Sequence, residues 1–106
     1  MAIGDLDDHG RFSDPSLLVM SSLADGPKHG YAMTKDIKRF AGVTLGPGTL
    51  YGALSRLLHQ GLIEALPADD RRRPYRLSDR GATVLAAQLQ TLQQVAATGL
   101  RRLAGG

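Results

Sequence analysis

LGPGTLYGALSRLLHQGLIEA, residues Leu45 to Ala65, is the stretch on which the fold turns. Gly46-Pro47-Gly48 interrupts the chain and offers Pro47 as a first helical residue, where a missing N–H costs nothing. From Pro47 to Gln60 the apolar residues Leu50, Leu54, Leu57 and Leu58 fall on one side of a helix at about 100° per residue. The other side collects Gly48, Thr49, Gly52, Ser55, Arg56 and His59. That side is small and polar, carries one long cation and has no acid, so it can approach another surface closely. Gly61 is placed to end the helix, and Leu62 to Leu66 reads as a short strand.

Downstream, Tyr75-Arg76-Leu77 is the expected antiparallel partner of that strand. Pro67 to Pro74 joins the two, with Asp69 and Asp70 followed by Arg71, Arg72 and Arg73, which makes a hairpin with a basic tip. The two aspartates are either turn formers or a brake on nonspecific anion binding. Ser78 caps a long last helix, roughly Asp79 to Leu103. Its seam runs through Ala82, Leu85, Leu89, Leu92, Ala96, Gly99 and Leu103, alternately three and four residues apart. A helix this long overhangs a domain of this size. Leu85, Leu89, Leu92, Ala96 and Leu103 are therefore expected to meet a second copy in a homodimer; the alternative is packing on the chain's own core.

Upstream, residues 1–12 hold two glycines and three aspartates without apolar periodicity and read as a flexible arm. Ser13 or Asp14 is an N-cap, Pro15 the first helical residue, and Leu17, Leu18, Met20 and Leu23 the apolar positions of a first helix. Ala24-Asp25-Gly26-Pro27 ends it. A second helix runs from Gly30 to Phe40, with Tyr31, Met33, Ile37 and Phe40 as its apolar side and Gly42 closing it.

The 106 residues suit one domain, and their 42% hydrophobic content suits one modest core. No cysteine is present, which removes disulfides, thiolate metal sites and a cysteine nucleophile together. The histidines His9, His29 and His59 share no ligand spacing, so no metal or other cofactor is expected. Gly46-Pro47-Gly48 lacks the Gly-Lys-Ser ending of a nucleotide loop, and no nucleophile elbow occurs, so catalysis is not expected. No apolar run is long enough for a membrane span. The acidic first residues do not resemble a secretory signal, so the expected location is the cytoplasm. Charge is uneven. Residues 1–25 carry one arginine against five aspartates, while residues 26–80 carry ten Lys or Arg against five acids. The cationic middle is where a nucleic-acid footprint belongs.

The expected fold is mainly α with a small β-hairpin: a winged helix-turn-helix unit over residues 13–78 and a dimerisation helix over 79–106. Such a unit lays its second motif helix in the major groove of double-stranded DNA. Gly48 and Gly52 allow close approach, while Thr49, Ser55 and Arg56 supply donors for phosphates or base edges. The arginines of the hairpin hold a flanking backbone or enter the minor groove, and Lys28, Lys35 and Lys38 either meet the opposite phosphate strand or are simply solvated.

His29-Gly30-Tyr31, the run from Leu45 to Ala65, and RRRPYRLSDRG from Arg71 to Gly81 resemble the PadR family of transcriptional regulators. The resemblance spans about residues 16–81. It implies a dimeric winged-helix repressor acting at a palindromic operator, with the last helix supplying the dimer contact. By position it implies DNA contact from Thr49 and Tyr51, a basic wing at Arg71 to Arg73, and an aromatic near the backbone at Tyr31. The chain departs from the family in two ways: Gly52 stands where many relatives place a long polar or basic residue, and a single helix forms the carboxy-terminal part. No Trp is present at the dimer seam, so a flat aromatic drug site is not expected. A small-molecule inducer is left open as a partner, since a pocket between the long helix and the domain has no charged or aromatic cluster to mark it. The competing reading is a winged-helix protein-interaction module with incidental DNA binding.

Overall fold

The computed structural model describes residues 14–105. The amino-terminal arm, His9 and the Ser13 alternative for the first cap lie outside them. Helix α1 (Pro15–Leu23) starts at Asp14, whose Oδ1 accepts the Ser16 N–H at 2.9 Å, with Pro15 at the first helical position. It is buried along most of its length at Leu18, Val19, Met20, Ser22 and Leu23, and packs mainly against α3 and α2. Strand β1 (Lys28–His29) leads directly into α2 (Gly30–Ala41). His29 Nδ1 accepts the Ala32 N–H at 3.4 Å as the N-cap, and Gly42 ends the helix in the left-handed region at φ 71°. Lys38 and Arg39 in the last turn face the negative end of the helix dipole.

Helix α3 (Pro47–His59) buries Leu50, Ala53, Leu54 and Leu57. It closes with Gly61 at φ 73°, the Gly61 N–H on the Leu58 carbonyl at 3.1 Å and the Leu62 N–H on the Leu57 carbonyl at 2.9 Å. This is a Schellman closure, and the apolar contact that accompanies it joins Leu57 and Leu62, both buried. Strands β2 (Ile63–Ala65) and β3 (Pro74–Leu77) follow, then α4 (Asp79–Gly105). The sheet is antiparallel in the order β1-β3-β2, with Lys28 opposite Tyr75 and Ile63 opposite Leu77. The architecture is a winged helix-turn-helix: three packed helices, a small sheet carrying the wing, and a long terminal helix.

Five expectations are corrected. A third strand, β1, joins the hairpin. Tyr31 and Phe40 lie outside the core, 67% and 50% exposed, because the helix turns only Gly30, Met33 and Ile37 inward. Leu58, next to the buried Leu57, is also exposed. Leu85 cannot meet a partner subunit, since it is 3% exposed in the core of its own protomer. Lys28 is not free for DNA; its ammonium donates to the Ser22 carbonyl and to Asp25 and stands 4.0 Å from Asp36. Asp36 in turn accepts from the buried Ser22 hydroxyl at 2.7 Å, so this network ties α1, β1 and α2 together. Beyond Leu85 the helix α4 leaves the domain, and Leu89, Leu92, Val95, Leu100 and Leu103 are exposed.

Candidate nucleic-acid interface

The face of α3 opposite the core presents Gly48, Thr49, Ser55 and Arg56 to solvent, with Gly52 half-buried among them. No side-chain cap closes the amino terminus of α3, and no acid lies in its first turn. Those N–H groups and the positive end of the helix dipole therefore face outward uncompensated. The Arg56 guanidinium does not extend freely. It folds back to within 3.5 Å of Ser16 Oγ on α1 and passes 3.6 Å from the place a Cβ on Gly52 would take. Gly52 thus gives room to a cation contributed by the next turn.

The wing is built by backbone. Asp69 and Arg72 exchange two hydrogen bonds, of 2.7 and 2.8 Å, around a two-residue turn whose central residues Asp70 and Arg71 have φ of 51° and 69°. Two positive φ values are the mark of a type I′ turn, which matches the twist of an antiparallel pair. Asp tolerates that conformation, and here the turn-forming role of Asp70 is plain; Arg71 adopts it at a cost. Arg73 Nη1 donates to the Leu66 carbonyl at 2.9 Å, and Arg72 Nη1 lies 3.3 Å from His29 Nε2. Among the described residues none of Arg71, Arg72 and Arg73 has an acidic partner, despite the aspartates beside them.

The wing, the first turn of α2 and Tyr51 of α3 enclose an open cleft of about 310 Å³. Tyr51 is 55% exposed, and its hydroxyl packs against Gly30. Tyr31 sits across the cleft, and Lys35, one turn further along α2, holds its ammonium 5.4 Å from the Tyr31 ring centroid. The structure therefore brings Tyr31, Tyr51 and Arg71 to Arg73 together and places Lys35 at their edge. Thr49, Ser55 and Arg56 of α3 do not line the cleft. His29 and Tyr75, which also line it, were not anticipated as site residues. The signal for His29 was present in its place just before Gly30, but its approach to Arg72 spans a long stretch of chain.

A helix pair whose second member offers an acid-free face, flanked by an arginine-bearing wing, defines the class of winged-helix nucleic-acid-binding proteins. The chain belongs to the transcriptional regulator PadR-like family, whose model matches residues 19–87. It is 40% identical over 85 residues to an uncharacterized 37.1 kDa protein in transposon TN4556 of Streptomyces fradiae, covering 80% of this chain and 25% of that protein. It is also 34% identical over 93 residues to the transcriptional regulator Rv3488 of Mycobacterium tuberculosis, covering 85% of this chain and 82% of that one. The chain thus spans about a quarter of the length of the transposon relative. Among solved structures, a PadR family transcription regulator from Clostridium difficile superposes with a TM-score of 0.76 at 23% identity, covering 84% of this chain and 97% of that one. Among the described residues no helix is long and apolar enough to cross a membrane.

Proposed function

We propose that the chain is a homodimeric, sequence-specific DNA-binding regulator that represses transcription at a palindromic operator. One observation carries this reading: the acid-free face of α3 adjoins a wing whose three guanidiniums have no acidic partner among the described residues. A polyanion supplies the charge that this surface lacks, and counterion release drives its binding. In this reading Gly48 and Gly52 let α3 approach the major groove, and Thr49, Ser55 and Arg56 read base edges or adjoining phosphates. Tyr31, Lys35 and Tyr51 hold the backbone, and Arg71 to Arg73 reach the flanking strand or minor groove.

The winged unit ends at Ser78, and α4 supplies the dimer contact. Leu89, Leu92, Ala96, Gly99 and Leu103 run along it at three- and four-residue spacing, joined on the exposed surface by Val95 and Leu100. A lone helix with this stripe in water is marginal, and a second copy buries it. Repression follows from steric exclusion, because a dimer seated on a promoter competes with polymerase for the same duplex.

Selection of bound fragments from the source genome, followed by gel shift with the chain's own upstream region, tests the proposal. The expected result is a discrete, competitor-resistant band on inverted repeats about one or two helical turns apart, and a reporter that falls silent when the protein is supplied. Smeared binding that vanishes with modest salt and selects no sequence refutes it in favour of a protein-interaction module.

A further inference from the structure

One hydroxyl joins the end of the recognition helix to the start of the long terminal helix. Ser78 Oγ donates to the Gly61 carbonyl at 2.8 Å and accepts the Gly81 N–H at 3.0 Å. The Ser78 backbone N–H donates to the Leu62 carbonyl at 3.1 Å. Gly61 and Leu62 are the two residues that close α3 through their bonds to Leu58 and Leu57. Gly81 lies against the same Leu62 carbonyl, so closely that a Cβ there would stand 1.9 Å from the oxygen and 2.9 Å from Leu77 Cδ1. At Gly81 the first turn of α4 therefore rests directly on the Leu62 backbone, and beside it the Ser78 hydroxyl bridges to Gly61.

The lever this creates is long. Beyond Leu85 the free part of α4 is roughly 30 Å long, so a tilt of about 10° at its base carries its far end some 5 Å. That is about one and a half base-pair steps, at roughly 3.4 Å each along the duplex. In a dimer clasped through α4, the stiffness of this joint decides whether two recognition helices fit one half-site spacing or several.

We propose that Ser78 and Gly81 form a positioning joint that fixes the angle between α3 and α4 and thereby sets the half-site spacing a dimer accepts. The proposal rests on the dimeric DNA-binding reading above for its consequence, but not for its geometry. Neither residue touches DNA in that reading.

Two measurements on the full chain test it. The sequence has no cysteine, so cysteines introduced at the exposed Ala41 and Gln94 can carry a spin-label pair, diluted into unlabelled protein so that only intramolecular distances are read. Ser78→Gly removes the hydroxyl while keeping a residue that is tolerated at an N-cap, and Ser78→Thr keeps the hydroxyl. A single narrow distance is expected in the parent and in Ser78→Thr, and a broad distribution in Ser78→Gly. In a library of paired half-sites with varied spacers, the parent and Ser78→Thr should prefer one spacing by about tenfold over its one-base-pair neighbours. Ser78→Gly should flatten that preference to within about twofold and leave affinity for a single half-site unchanged.

A narrow distance in Ser78→Gly overturns the joint whatever DNA does. A broadened distance with spacing preference intact overturns its role in specificity. If the distances behave as expected but the parent selects no paired half-sites, the joint stands and the dimeric DNA-binding reading fails.

Discussion

The Tyr51 hydroxyl lies 3.0 Å from the point where a Cβ on Gly30 would sit, so the aromatic ring on α3 rests on the first residue of α2. That packing aims the hydroxyl into the cleft between the wing and α2. Tyr51→Phe should leave the melting temperature nearly unchanged and weaken operator binding about tenfold to a hundredfold, the worth of one hydrogen bond to a charged oxygen. Gly30→Ala should also weaken binding, because Tyr51 must swing aside. Fluorescence anisotropy on the selected operator reads both. Equal affinity for both variants and the parent removes Tyr51 from the interface.

Arg71 occupies the second central position of the wing turn at φ 69°, where glycine is free of the steric cost a side chain bears. Arg71→Gly should therefore stabilise the fold by about 1 kcal/mol in urea unfolding. The same change should weaken DNA binding and lower the salt slope by the share of about one phosphate. A stabilised variant that binds as well as the parent separates the strain at Arg71 from function.

Two glycines of similar helical setting should respond in opposite senses. A Cβ at Gly52 meets only the flexible end of Arg56 at 3.6 Å, so Gly52→Ala should stabilise α3 by about 0.5–1 kcal/mol. Gly81→Ala drives a methyl into the Leu62 carbonyl and should cost upward of about 3 kcal/mol or prevent folding. Thermal unfolding monitored by circular dichroism distinguishes the two, and similar melting temperatures would show that α4 is not seated as described.

Asp25 titrates below the ordinary aspartate value because Lys28 donates to it and adds a favourable charge. A depressed carboxyl stabilises the fold above its unfolded pKa, and that contribution fades as pH falls through the folded one. Since Asp25 is fully exposed, solvent screens the effect, and it is best read at the group itself. An NMR titration of Asp25 should give a midpoint below that of a free aspartate, and Lys28→Met should move it upward. No movement would leave Lys28 serving α1 and Asp36 alone.

Much of the fold was legible because the chain is strongly punctuated. Asp14 by its side-chain cap, and Pro15, Gly42, Pro47 and Gly61 by backbone chemistry, mark helix ends, and each stands where the structure ends or begins a helix. The acid-free face of α3 was legible for the same reason, since a clean period separates Leu50, Leu54 and Leu57 from Thr49, Ser55 and Arg56. Strand β1 was not, because two residues carry no period and their pairing with Pro74 and Tyr75 is long-range. Leu85 was misplaced because a heptad stripe does not reveal where a helix leaves its own core. Lys28 looked like any surface lysine until the fold brought Asp36 beside it. The second hydrogen bond of Ser78, to Gly61, has no local signature at all.

Salt-dependent binding to the selected operator tests the central claim most directly, with the parent compared against a variant carrying Arg71→Ala, Arg72→Ala and Arg73→Ala. The slope of log affinity against log salt should fall by about 0.9 for each phosphate left without its arginine, with all sequences weakened alike, while Thr49→Ala instead narrows the gap between operator and random DNA. An unchanged slope in the triple variant, together with unchanged discrimination in Thr49→Ala, would contradict an interface made by α3 and the wing.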